Sequence, residues 1–242
     1  MGACYVTGTD VGVGTTLVAS AIVHLAGSTG HRAVGMMPVA AGTSFHHGQW
    51  HADVVDRLAA AGTLRLPERA LCPYILAPDA SPEAAAELAG IRLAPEFMLE
   101  AFGALQVWAD AVVVDGAGGF RVPLASGFDS ADLAQALDLP VVLAVGLRPG
   151  CLNHALLTAE AIGARGLRLA GWVANAIDPA LDQPERTLAS LQRWLGAPCL
   201  GVLPRLASNA RSGAEQDALA RLAAGHLLRD TLLDLLALDV AA

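Results

Sequence analysis

The sequence predicts an α/β fold of three layers, with a mostly parallel central sheet flanked by helices. Two observations predict it. Short apolar runs rich in β-branched residues alternate with segments of helical spacing along the chain, the pattern of repeated strand–helix–strand units. Several of those runs are apolar on both faces, such as Val112-Val113-Val114 and Val141-Val142-Leu143-Ala144-Val145, which suits strands covered by helices above and below.

In chain order, Cys4–Thr7 is a strand that runs directly into a glycine-rich loop, and Thr15–Ala26 is the apolar helix behind it. Ala33–Met37 is the second strand. The helix Ala52–Ala61 opens near Asp53, an acid that suits the positive end of a helix. Ser81 and Pro82 supply an N-cap and first-turn proline for the helix Ser81–Leu88. Pro95–Trp108 follows as a helix, then the strand Ala111–Asp115, the helix Ser130–Ala136 and the strand Val141–Val145. The series closes with the helix Asn153–Ala164, the strand Leu169–Ala174, the helix Glu185–Trp194 and the strand Cys199–Leu203. The last stretch, Ala214–Leu238, repeats leucine and alanine at helical spacing and is expected to pack along the outside or at a subunit contact. With no internal repeat or composition break, the 242 residues are expected to form one domain, 1–242.

Hydrophobic residues make up 54% of the chain and charged residues 16%. So little charge is expected to leave apolar surface for a partner subunit to cover, and a homodimer is the plainest arrangement. The formal charge of −8 comes from 23 acids against 15 arginines, with no lysine anywhere. That balance argues against nucleic acid or an anionic membrane as the target. No apolar run reaches the ~18 residues of a spanning helix and no charged leader precedes the first strand, so a cytoplasmic protein is expected. The four cysteines, at 4, 72, 151 and 199, lack metal-ligand spacing and are expected to be reduced thiols.

Residues 8–16 read Gly8-Thr9-Asp10-Val11-Gly12-Val13-Gly14-Thr15-Thr16. A glycine-rich turn between strand and helix aims backbone N–H groups at phosphate, and the final hydroxyl holds Mg²⁺. The residue before that hydroxyl is ordinarily a lysine that neutralises phosphate; here it is Thr15. Ligands of an open parallel sheet gather beyond the carboxyl ends of its strands. Three further expected strands end in turns of this kind, at Pro38–Gly42, Asp115–Gly119 and Gly146–Asn153. Asp115 reads either as the acid that holds Mg²⁺ or its water, or as a turn or capping acid. Asp53 reads either as a helix-dipole acid or, opposite Asp115 and Thr16, as a third oxygen ligand. His46, His47 and His51 share a loop, but without a cysteine or a second spaced pair they do not make a zinc site.

Together these residues resemble the dethiobiotin synthetases, in register over most of the chain. The resemblance is carried by Tyr5-Val6-Thr7-Gly8-Thr9-Asp10, Pro38-Val39-Ala40, Ser81-Pro82 and Asp115-Gly116-Ala117-Gly118-Gly119. It continues through Gly150-Cys151-Leu152-Asn153-His154-Ala155 and Gly171-Trp172-Val173-Ala174-Asn175. It implies a homodimeric P-loop NTPase-like domain that uses ATP as co-substrate and Mg²⁺ as cofactor. The family's reaction converts the diamine 7,8-diaminopelargonic acid and CO₂, supplied as bicarbonate, to dethiobiotin. One amine forms a carbamate, the γ-phosphate is transferred to it, and the second amine closes the ureido ring. By position, Thr16, Asp53 and Asp115 resemble the Mg²⁺ ligands. Gly12, Val13, Gly14, Thr15 and Thr16, with Gly116, Ala117 and Gly118, resemble the phosphate contacts. Asn175 and Pro204-Arg205-Leu206 resemble the adenine end. Gly150, Cys151 and Asn153 resemble a turn that holds the diamine carboxylate across the dimer, and Ala41 and Ser81 fall in the substrate wall.

Departures from the family pattern share a direction. Thr15 and Met37 stand where the family has its two active-site lysines, and Gly12, Ala41, Asp115 and Glu83 stand for an acid, a serine, a glutamate and a histidine. Each donor lost from a phosphoryl-transfer centre costs roughly 3 kcal/mol, or ~100-fold. Arg148 and Arg121 are the candidates to replace the missing charge, each from another strand end. The expectation is a dethiobiotin synthetase impaired at positions 15 and 37. The alternatives are a silent paralogue that binds ligand or regulates a partner synthetase, and a P-loop ligase for another substrate.

Overall fold

The computed structural model describes residues 2–46, 49–206 and 212–238. Its first half runs β1 (Gly2–Gly8), α1 (Thr15–Ser28), β2 (Ala33–Met36), β3 (Val39–Ala41), β4 (Ser44–His46), β5 (Gln49–His51), α2 (Asp53–Ala61), α3 (Glu68–Leu71), β6 (Tyr74–Leu76), α4 (Pro82–Ala89) and α5 (Pro95–Trp108). Then come β7 (Ala111–Gly119), β8 (Pro123–Ala125), β9 (Phe128–Asp129), α6 (Ser130–Leu137), β10 (Val141–Gly146), α7 (Cys151–Ala164) and β11 (Leu169–Asn175). The chain ends through α8 (Pro184–Trp194), β12 (Cys199–Leu203), α9 (Gly213–Ala224) and α10 (Arg229–Leu235).

The central sheet holds six strands in the order β12-β11-β10-β1-β7-β2, and every neighbouring pair is parallel. These are the six strands that the apolar runs predict. Alternation along β10 and β11 shows why both faces are apolar. Val142, Ala144 and Val173 join the core that contains α1, whereas Leu143, Val145, Trp172 and Ala174 pack with Cys151 and Ala155 of α7 and Leu191 of α8. A smaller core gathers Val39 and Leu76 with Ala85, Met98 and Leu133, fixing α4, α5 and α6 beside the short parallel pair β3–β6.

The C-terminal run departs from its expectation. It forms two helices, α9 and α10, and not one, because residues 225–228 turn back onto the sheet edge: Leu227 bridges Gly201 of β12 and the Leu228 N–H donates to the Leu200 carbonyl at 2.7 Å. Nor does the run stay outside. Leu219, Ala220 and Ala223 of α9 and Leu232 and Leu233 of α10 are buried in the core that contains α1. Short elements absent from the sequence reading are α3, the pair β3–β6 and the hairpins β4–β5 and β8–β9. All four cysteines are free of disulfides, and burial pushes the thiols of Cys4 and Cys72 up to about 12. Among the described residues no helix is long and apolar enough to cross a membrane.

Candidate active site

The loop between β1 and α1 is shaped by conformation and close approach. Gly14 sits at φ +92°, and a Cβ there would lie 2.3 Å from Asn175 Nδ2, so a side chain at this position meets both backbone strain and a collision. Asn175, at the end of β11, donates Nδ2–H to the Val13 carbonyl at 3.0 Å across the sheet. The loop's curvature is thereby held by a buried side chain two strands away in the sheet order. Asp10 adds a second tie, accepting from the Val11 N–H at 2.7 Å and from Arg148.

Behind the loop, the Thr16 hydroxyl donates to Asp115 Oδ2 at 2.6 Å. Asp115 is wholly buried and its Oδ1 has no hydrogen-bond partner. Burial pushes this carboxyl up to about 7, against the opposing pull of the Thr16 and Thr15 hydroxyls and the charge of Arg57. A shielded carboxylate oxygen beside a hydroxyl is a ready place for a small hard cation.

These elements face a cavity of about 820 Å³. Of the residues expected at the site, Gly12, Gly14, Thr15, Thr16, Met37, Ala41, Ser81, Ala117, Gly118, Asn175, Arg205 and Leu206 line it. Val13, Asp115 and Gly116 are buried behind the lining, and Asp53 and Pro204 are exposed beside it. Gly150, Cys151 and Asn153 start α7 and do not line the cavity of this chain. Neither arginine expected to replace the missing charge reaches in: Arg148 pairs with Asp10 and Arg121 with Asp129. Of the loop histidines, His51 bonds Asp56 at 3.2 Å, while His47 lies outside the described residues. Among the described residues no cluster of three histidine, cysteine or acidic side chains can hold a metal.

Two charged residues of the lining, Asp79 and Arg57, escaped the sequence reading. Asp79 stands beside Gly42 and lines the cavity with Ala41 and Ser81, and Arg57 enters from α2. The signal for Arg57 was its helical spacing: Val54 and Arg57 are three residues apart and share one face.

The chain matches a family model described as an AAA domain over residues 3–212. In solved structures it is similar to MinD in the MinC:MinD cell division complex of Aquifex aeolicus, at 12% identity and a TM-score of 0.58 over 100% of this chain and 98% of that one. It is also similar to a ParA family ATPase of Chlorobium tepidum, at 14% identity and a TM-score of 0.53 over 96% and 97% of the two chains. Those likenesses show a P-loop NTPase fold. In sequence it is 48% identical to the ATP-dependent dethiobiotin synthetase BioD of Ralstonia nicotianae, over 93% of this chain and 94% of that protein. With BioD of Aromatoleum aromaticum the identity is 47%, over 85% and 91% of the two chains. Such identity, sustained over nearly the full length of both sequences, reaches far beyond the shared loop: the chain belongs to the dethiobiotin synthetase family.

Proposed function

We propose that this chain makes dethiobiotin from 7,8-diaminopelargonic acid, CO₂ or bicarbonate, and ATP, in biotin biosynthesis. The observation that carries the reading is the Thr16–Asp115 pair set directly behind a glycine loop that opens on one large cavity. ATP phosphates lie along Gly12–Thr16 and Ala117–Gly118, where the loop and the first turn of α1 direct backbone N–H groups toward anionic oxygen. The adenine end lies toward Asn175, Arg205 and Leu206, and the diamine lies toward Met37, Ala41 and Ser81.

Mg²⁺ fits the donor set, since Thr16 Oγ1 and Asp115 offer hard oxygens and Asp115 Oδ1 is buried without a partner. Bound there, it would neutralise charge on the phosphates. Asp53, exposed at the start of α2, would be the third oxygen donor in this reading. In the reaction, a carbamate oxygen forms a bond to the γ-phosphorus while the bond to the bridging oxygen breaks and its electron pair leaves on ADP. The second amine then attacks the carbamoyl carbon, phosphate departs, and the ring closes with release of a proton. The loop would hold the γ-phosphate for in-line attack by the carbamate oxygen.

The turn at Gly150, Cys151 and Asn153 does not line this chain's own cavity, which favours a homodimer in which it holds the diamine carboxylate for the partner. Leu157, one turn further along α7, is 56% exposed and suits such a contact. The function is tested by product formation from diamine, bicarbonate and MgATP. Turnover lost in Thr16→Ala supports it; a wild type no faster than Thr16→Ala overturns it.

A further inference from the structure

Transfer of a γ-phosphate concentrates negative charge that a fixed cation must offset. No lysine exists to do so, and Arg148 and Arg121 are engaged elsewhere. Among the described residues, the cavity lining contains two cations, Arg57 and Arg205. They stand at opposite ends. Arg205 follows β12, one edge of the central sheet, and is exposed. Arg57 belongs to the other edge: its neighbour Leu58 packs on β2, with Cδ2 only 2.7 Å from where a Cβ on Gly35 would stand. Met37 follows directly from β2 and lines the cavity with it.

The helix carrying Arg57 divides its faces cleanly. Val55, Leu58 and Ala61 are buried in the core, and Asp56 bonds His51, while Val54 and Arg57 line the cavity. Arg57 is half-buried and its Nε is shielded from solvent with no hydrogen-bond partner. No ion pair among the described residues ties its guanidinium down. A shielded, unsatisfied donor is costly to leave without an acceptor, and Arg57 carries it on a side chain that lines the cavity.

We infer that the Arg57 guanidinium is the cationic side chain of the phosphoryl-transfer centre, contacting the γ-phosphate and the attacking carbamate oxygen from the Met37 side of the cavity. This rests on the functional reading above. Arg57 remains protonated throughout; it forms no bond and loses no proton, and stabilises charge as the phosphorus passes from the ADP oxygen to the carbamate oxygen. A planar guanidinium can contact both groups at once, which an ammonium does less well.

The test compares wild type, Arg57→Gln, Arg57→Met, Arg57→Lys and Arg57→Gln/Thr15→Lys in turnover and in calorimetric titration with ATP and with ADP. Expected results are a fall in kcat of roughly 100-fold for Arg57→Gln with diamine KM within about threefold, and a retained tenth or more for Arg57→Lys. The preference for ATP over ADP falls about tenfold in Arg57→Gln, and Thr15→Lys recovers at least about tenfold in that background while changing wild type less. Arg57→Met, which keeps the helical propensity and the apolar stem, gives the same losses if Arg57→Gln does not fold. Neutral variants with wild-type turnover and an unchanged ATP-over-ADP preference overturn the inference. A wild type without product fails the functional reading instead, and the two nucleotide titrations still decide the role of Arg57.

Discussion

On the loop side of the cavity, Thr16, Asp115, Val13 and Asn175 hold one another through buried hydrogen bonds. On the facing side, Met37, Val39, Ala40 and Ala41 present apolar surface, with the acid Asp79 beyond them, and positive charge comes, among the described residues, from Arg57 on a neighbouring helix. One wall is tied together by buried hydrogen bonds; the other is mostly apolar. The difference teaches that a phosphate cradle and the cation that serves it are separable. Backbone donors are set by the fold, whereas a charge can be delivered from any helix that borders the cavity.

The largest expected effect tests how tense the loop wall is. Because burial raises the Asp115 carboxyl to about 7, the unfolded chain loses this proton near pH 4 while the folded chain keeps it. The cost to stability is therefore absent below about pH 4, grows as pH rises, and is complete above about pH 7. In the ligand-free protein, Asp115→Asn should then be more stable than wild type at pH 8, by at most about 4 kcal/mol, and equal to it near pH 4. Urea unfolding at the two pH values checks this; a difference that does not change with pH breaks it.

Next in size, Thr16→Ala should lower turnover by roughly 100- to 1000-fold, about 3 to 4 kcal/mol, with little change in diamine KM. Steady-state kinetics at saturating diamine decide it, and a drop below tenfold would remove the loop wall from the chemistry. Smaller again, Asn175→Ala deletes the donor to the buried Val13 carbonyl and should cost about 1 to 3 kcal/mol of stability. Thermal unfolding together with ATP titration measures it; unchanged values for both would show that the loop holds its curvature unaided. The smallest effect belongs to the facing wall, where Ala41→Ser should alter turnover by less than about fivefold, since a single hydroxyl adds no charge. A larger gain would mean that this wall lacks a hydrogen bond more than it lacks a cation.

Much of the loop wall was legible in the sequence. β1, β7, β10 and β11 are apolar on both faces, so their place in a covered sheet follows from composition, and Gly14 with Thr16 marks the cradle by spacing. Asn175 was readable as a site residue through family resemblance, but its hydrogen bond to Val13 joins residues 162 positions apart and no local pattern encodes it. The short pairs β3–β6 and β8–β9 were missed because three or fewer residues are too few to show an alternation. The C-terminal run kept its leucine and alanine spacing across residues 225–228, although Gly225 caps α9 there and pairing with β12 completes the turn. Arg57 went unread for a different reason: an arginine on an amphipathic helix is ordinarily a solvated residue, and only the tertiary placement of α2 beside β2 turns it inward.

The tie from Asn175 to the Val13 carbonyl also bears on how fast nucleotide comes and goes. Fixing a mobile backbone costs about 1–2 kcal/mol for each residue ordered, and a loop already curved before ligand arrives avoids much of that entropy loss on binding. Release then requires no refolding of the cradle. If the chain turns ATP over as proposed, ADP would leave a seat that already has the curvature the next nucleotide needs.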